Sequence, residues 1–381
     1  MRKAVIIDGN PFVHTYYAKD SRQLIAETGG NTGNLAFRFA VASHVRNHTH
    51  LGWGATVEQV RAAGDIVVLP LANQLGAHTD LGRQADKLQA VGLPVVGIGL
   101  GAQAKTMDTP VELGEGTRRW LELIAGSAPA AAPNIGVRGA YTKSQIERFS
   151  SVPAAVVTGC PSNFINLDFD VGKAVADGFR RRFDRIAVTA GISHIPHLAA
   201  IEQQLAQIVT DTGSAYIVQH DTEMVQLSRG EFAALGPAQF ERNKAYVLPQ
   251  ATDDEFKAWC RRYAIGFYDI RAWMDSLRRF DFVTGTRFHG VMLALQAGVP
   301  AGCIAHDSRT YEMCTTMGVP VIHVSAIDRP LTRDNVRDYF SFDPDQYRAT
   351  RGRLAKAYVA MLDAAELDVE PRLRKLESQG S

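Results

Sequence analysis

The chain has 381 residues, enough for two domains at roughly 100–200 residues each. Apolar residues are 46% of it, which excludes a globally disordered chain, and 41 basic against 40 acidic residues leave a formal charge of +1, which excludes the basic excess of a general nucleic-acid binder. No apolar run approaches ~18 residues, so no transmembrane helix is expected.

At the start, Ala4–Ile7 is too short for a signal-peptide core and ends at Asp8, so it reads as a first buried strand. Further strands are predicted at Ile66–Leu69, Pro94–Ile98, Ile135–Val137 and Ala155–Val157, with helices near Leu35–Val45, Arg83–Ala90, Thr117–Ile124 and Ser144–Phe149 between them. Strand-helix alternation of this kind builds a parallel sheet covered on both faces. The second half repeats the rhythm. Its strands are expected at Arg185–Thr189, Ala215–Val218, Ala245–Leu248, Gly266–Tyr268, Phe282–Thr284, Ala301–Ile304 and Val321–His323. Its helices are expected at Leu198–Thr212, Glu231–Asn243, Asp253–Tyr263, Ile270–Phe280, Val291–Ala297 and Thr310–Met317.

The predicted fold class is therefore α/β, with two doubly wound, Rossmann-like domains facing a central cleft. The boundaries are 1–172 and 185–344, with a crossing at Gly172–Asp184 and a charged helical segment at 345–381. The four cysteines, Cys160, Cys260, Cys303 and Cys314, are far apart and form no CxxC pair. Neither a disulfide framework nor a zinc knuckle is indicated, and a reducing cytoplasm fits.

In doubly wound sheets the carboxyl ends of the strands face the crevice and carry the chemistry. Gly29-Gly-Asn-Thr-Gly-Asn-Leu-Ala36 opens the first long helix. It reads as an anion site of backbone amides or as a plain helix start with Asn34 as cap. Gly97-Ile-Gly-Leu-Gly-Ala-Gln103 loosely matches a dinucleotide loop, but Pro110 follows too soon for the crossover helix, so a glycine-rich cleft loop with Gln103 near a polar ligand is expected. Gly136-Val-Arg138 sets a guanidinium, a planar fork suited to carboxylate or phosphate, at a strand end, and Gly159-Cys-Pro-Ser-Asn163 ends the next strand.

The most informative block is Phe282-Val-Thr-Gly-Thr-Arg-Phe-His-Gly290. If still extended, Arg287 and His289 face one side at i, i+2, pairing a fixed cation with a group able to act as acid or base. The following strand ends with Asp307, Arg309 and Glu312. His194, His197, His220 and Asp221 also follow strands and are candidate ligand contacts, with helix-start packing as the bland alternative. His44, His48 and His50 lack a zincin pattern and are expected on a solvated surface.

Taken together, the Gly-Asn-Thr-Gly-Asn loop, the Gly-Ile-Gly-Leu-Gly strand end, Val-Arg-Gly-Ala-Tyr-Thr-Lys-Ser, Gly-Cys-Pro and the long Arg-Phe-His-Gly block with its trailing Asp-Ser-Arg resemble the polysaccharide pyruvyl transferase family over residues 29–318. The resemblance implies a two-domain fold like that of the B-type glycosyltransferases (GT-B-like). It also implies transfer of the enolpyruvyl carbons of phosphoenolpyruvate to a sugar, closing a ketal. By this resemblance Arg138, Arg287 and His289 match the positions that hold the donor; from their strand-end and loop positions Arg309, Gly33, Asn34, Gly99, Gly101 and Gln103 are expected to join them. His289 is the expected acid, Glu312 or Asp307 the expected base, and His194, His197 and His220 the expected acceptor contacts. Three departures stand out: the family often has Asp where Asn34 stands, commonly has Asp where Cys160 stands, and often has a charged residue after the strand ending at Thr189, where this chain has Ala190-Gly191.

Because arginines neutralise the donor, no metal and no cofactor beyond phosphoenolpyruvate as co-substrate is expected. The expected partners are that donor and a sugar or glycan. Arg180–Arg182 read first as solvated, with peripheral contact to a lipid-linked acceptor as the alternative. The alternatives in function are a nucleotide-sugar glycosyltransferase or epimerase, and a non-catalytic ligand-binding protein of the same fold.

Overall fold

The computed structural model describes residues 1–103, 109–128, 132–149 and 154–378. The first half forms a parallel sheet from β1 (Ala4–Ile7), β2 (His48–Leu51), β3 (Ile66–Pro70), β4 (Asn73–Leu75), β5 (Val95–Ala102), β6 (Ile135–Val137) and β7 (Ala155–Val157). The order is β2-β1-β3-β5-β6-β7, with β4 added to the end of β5. The second half forms another parallel sheet from β8 (Ile186–Thr189), β9 (Tyr216–Val218), β10 (Ala264–Gly266), β11 (Phe282–Gly285), β12 (Ala301–Ala305) and β13 (Val321–His323), in the order β10-β9-β8-β11-β12-β13. The two parallel-sheet halves are those the sequence predicts.

Alternation along each strand decides which layer a residue joins. Val5, Ile7, Val67 and Leu69 pack on one face with Leu88, Trp120 and Leu121. Ala4, Ile6, Ile66 and Val68 point to the other face and join Phe37 and Phe164 in a core that continues into the second half through Ile186, Val291 and Leu354. Both faces are covered, as parallel sheets require.

The C-terminal segment returns to the first half. The long helix Pro344–Ala364 sets Arg351, 2% exposed, on the carbonyls of Asn163 and Asp168. Beyond it, Leu367 bridges to Arg2 and Val369 to Val45. The expected crossing segment contains the helix Val171–Phe179.

Four local expectations are corrected. Ala245–Leu248 is not a strand: Pro237 starts a helix that runs to Val247 and buries Phe240, Asn243, Tyr246 and Val247 along one stripe at helical spacing. β2 went unpredicted because His48-Thr-His-Leu51 is half-buried at the sheet edge and lacks an apolar run. Gly99 and Gly101 lie within β5 rather than in a loop after it. His44 is fully buried, not solvated; its Nε2 meets the Phe164 carbonyl at 3.0 Å and its Nδ1 the Tyr358 hydroxyl at 3.4 Å.

Candidate anion-binding active site

The strand ends of the two halves meet at a cleft of about 120 Å³, lined by Arg138, Arg287, His289, Arg309, Asn31 and Asn34, together with Asn73 and Gln219. Arg138 leaves β6 and is 2% exposed. Its Nε donates to the Gly99 carbonyl at 2.8 Å and its Nη1 lies 3.6 Å from Met313 Sδ on the second half. Among the described residues no carboxylate pairs with it. The glycines of β5 explain how it is seated: a Cβ on Gly101 would come 3.1 Å from Arg138 Cδ, and one on Gly99 would come 2.9 Å from Pro161 Cδ. Gly99 and Gly101 therefore make room beneath the arginine instead of wrapping a ligand.

Arg287 caps the N-terminus of the helix Phe288–Gln296, so His289 lies in the first helical turn and not on an extended strand. Both nonetheless line the cleft. The Nε and Nη2 of Arg287 and the Nε of Arg309 are buried with no hydrogen-bond partner. Burial, then the nearby Arg309, pushes the Arg287 guanidinium below its ordinary value, against the pull of Glu202. Arg287 and Arg309 keep unmet donors. Beside them Arg138 carries a buried charge that, among the described residues, only neutral acceptors meet: the carbonyls of Gly99 and Leu71 and the Met313 sulfur. Such a cluster favours an anion, because a buried charge stays costly until it is paired.

His289 sits among them, with Nε2 3.8 Å from Cys160 Sγ and its ring 5.9 Å from that of Phe37. Burial, then the fields of Arg138 and Arg309, push the imidazole well below its ordinary range. In the empty cleft it is neutral at pH 7.

The structure separates the other expected site residues. The Asp307 Oδ1 caps the helix Ser308–Met317 through Thr310 N–H at 2.7 Å, while Oδ2 stands 3.4 Å from Arg309 Nη2. Burial opposes its ionisation, but Arg309, His306 and the Thr310 donors hold its carboxyl below the ordinary range. Glu312 is 4% exposed and accepts from Tyr141 N–H at 2.5 Å and from the Thr142 hydroxyl at 3.4 Å, bridging the two halves. Gly33 precedes the helix Asn34–His44, and a Cβ there would stand 3.2 Å from His289 Cβ. Asn34 ties its own loop by donating to the carbonyls of Thr28 and Gly29. Gln103 is exposed and holds Asn73.

The histidines after β8 and β9 divide. His194 is half-exposed and pairs with Asp221 at 3.1 Å, and His197 is exposed. His220 is partly buried, with an unpartnered Nδ1, and is pushed down to about 4 by burial and then Arg287. His194, Asp221 and Glu223 bring ligand atoms within 4.8 Å of one another, but the Glu223 carboxylate already holds Arg242 at 2.6 Å and Asn243 at 2.8 Å.

Asn31, Asn73, Gln219 and Thr286 were not singled out from sequence. Gln219, one residue before His220 at the end of β9, is the one that strand-end position could have revealed; its Nε2 is buried without a partner.

The family model for polysaccharide pyruvyl transferase matches residues 31–308. The chain belongs to the polysaccharide pyruvyl transferase family. This family member has no match among curated proteins. Among solved structures it is similar to a Listeria monocytogenes protein assigned as a UDP-N-acetylglucosamine 2-epimerase, at 12% identity, TM-score 0.43, over 97% of this chain and 98% of that one. S. aureus MnaA with UDP is similar at 10% identity, TM-score 0.40, over 95% and 98%. A UDP-glucose:anthocyanidin 3-O-glucosyltransferase with UDP is similar at 12% identity, TM-score 0.35, over 99% and 98%. No helix among the described residues of this pyruvyl transferase family member is long and apolar enough to cross a membrane.

Proposed function

We propose that this transferase moves the enolpyruvyl carbons of phosphoenolpyruvate onto a sugar of a polysaccharide or its precursor and closes a cyclic ketal. The observation that carries this reading is the convergence of Arg138, Arg287 and Arg309 on the cleft that His289 lines, with unmet N–H donors on Arg287 and Arg309 and, among the described residues, no carboxylate on Arg138. Phosphoenolpyruvate presents a carboxylate and a phosphate, and one arginine from the first half and two from the second clamp them across the cleft.

The bound dianion offsets the positive field that holds His289 neutral, so the imidazole takes up a proton as the donor arrives. His289 delivers that proton to the methylene carbon, which becomes a methyl group, and C2 becomes electrophilic. A sugar hydroxyl forms a bond to C2 and loses its proton to a base. The C2–O bond to phosphate then breaks, releasing inorganic phosphate, and the oxygen of a second hydroxyl of the same sugar bonds to C2 and closes the ketal, its proton passing to the now neutral His289. Asp307 is the base of this scheme, because Arg309 and His306 hold its carboxyl below the ordinary range, whereas burial pushes the Glu312 carboxyl up and its oxygens tie the Tyr141 N–H and the Thr142 hydroxyl.

The test is phosphate release from phosphoenolpyruvate with sugar acceptors. Arg287→Ala and His289→Ala are each expected to lower the rate by about 10²–10⁴-fold. Unchanged turnover in both variants would overturn the reading.

A further inference from the structure

A second recess, unused by the scheme above, opens at the carboxyl ends of β1 and β2. Its volume is about 460 Å³, and it is lined by Asp8, Asn10, Glu27, Gly29, Arg38 and Trp53. Its charge differs from that of the arginine cleft. Arg38 is spent: its Nε lies 2.8 Å from Asp8 Oδ2, its Nη2 3.1 Å from Asp8 Oδ1, and its Nη1 3.2 Å from the Glu27 carbonyl. Glu27 pairs with Lys19 at 2.7 Å. Among the described residues that line the recess no cation is left over for a phosphate, so an anionic ligand is disfavoured here.

What remains is neutral hydrogen-bonding capacity beside an aromatic face. Each Asp8 oxygen uses one lone pair on Arg38 and keeps another for a hydroxyl donor. The Asn10 side-chain oxygen accepts from Phe12 N–H at 2.9 Å, while its amide N–H groups have no partner among the described residues. Trp53 is half-buried against the outer core layer, and its indole flanks the recess. A ring with apolar C–H faces and a hydroxyl edge suits this set.

The recess also touches the cleft. A Cβ on Gly29, at φ +67°, would stand 2.9 Å from Arg38 Nη2 in the recess and 3.4 Å from Asn34 Nδ2, which lines the cleft. The Gly29–Asn34 loop is the wall common to both. We infer that the recess is a subsite for a neutral pyranose ring of the acceptor glycan, on the other side of this loop from the ring that reacts with the donor. The inference rests on the pyruvyl-transfer reading for its role and places the acceptor apart from His194, His197 and His220.

The experiment is saturation-transfer NMR of the methyl glycosides of glucose, galactose, mannose and N-acetylglucosamine with the full chain. Wild-type protein is expected to saturate the ring protons of at least one glycoside. Trp53→Ala and Asn10→Ala should weaken that binding tenfold or more, while the thermal shift caused by phosphoenolpyruvate stays unchanged. Asn10 is exposed, so its variant reports even if Trp53→Ala fails to fold. Absence of saturation with all four glycosides, or unaltered saturation in the Asn10 variant, overturns the subsite. If phosphoenolpyruvate gives no thermal shift in wild-type protein, the transfer reading fails instead, and the NMR still decides the recess.

Discussion

Glu312, on the helix Ser308–Met317 of the second half, caps the helix Ala140–Phe149 of the first half by accepting the Tyr141 N–H at 2.5 Å. Arg138 precedes that helix and Arg309 lies on the other, so one carboxylate registers two of the three guanidiniums of the cleft. Gly139 leaves the space for it, since a Cβ there would come 2.4 Å from Glu312 Cδ.

Glu312→Gln keeps an acceptor oxygen for Tyr141 and is expected to hold kcat within about tenfold of wild type. Glu312→Ala strands a buried N–H, costs about 1–3 kcal/mol of stability and raises the KM for phosphoenolpyruvate more than it lowers kcat. Steady-state kinetics of both variants check this. Equal loss of kcat in both would make Glu312 the base instead.

His289 should couple donor binding to proton uptake. Its pKa in the empty cleft lies well below the ordinary value and is raised by the dianion. The bound state therefore holds more protons, and affinity falls as pH rises through the pKa of the complex. Calorimetry in buffers of different ionisation enthalpy should show uptake in wild-type protein and none from this group in His289→Gln.

Cys160→Asp places a carboxylate beside Nε2 of His289, where the thiol now stands 3.8 Å away. It favours the imidazolium before the donor arrives, so the same calorimetry should record less proton uptake than in wild type.

Arg287→Met removes a buried cation with two unpartnered N–H groups. The empty protein is expected to gain about 1–3 kcal/mol, while stabilisation by phosphoenolpyruvate disappears. Urea unfolding with and without the donor measures both changes. Loss of stability in the empty variant would contradict the unmet-donor account.

Acid should destabilise the fold through His44, which burial holds at about 4. The unfolded chain protonates this group below its ordinary 6.5 while the native state does not, so stability falls as pH drops from 6.5 towards 4. The share lost between pH 7 and 5 is about 2 kcal/mol. Urea midpoints of His44→Gln should fall less steeply over that range than those of wild-type protein.

The sequence by itself determined the two parallel sheets and the strand-end positions of Arg138, Arg287 and His289. Apolar runs and the residues that end them are local signals, and the carboxyl ends of the strands near the switch point of a doubly wound sheet open onto its crevice. Only the tertiary structure decided how those ends are used. Glu312 became a cap because its partners lie about 170 residues away in the chain. The glycines of β5 became the seat of Arg138 because β6 passes beside them. His44 was buried by Phe164 and Tyr358, which no local pattern connects to it. Ala245–Leu248 has the apolar content of a strand, yet its Tyr246 and Val247 lie on the buried stripe of a helix begun at Pro237. Burial and pairing depend on contacts between distant segments, so a polar residue's neighbours, and with them its charge and chemistry, are properties of the folded chain.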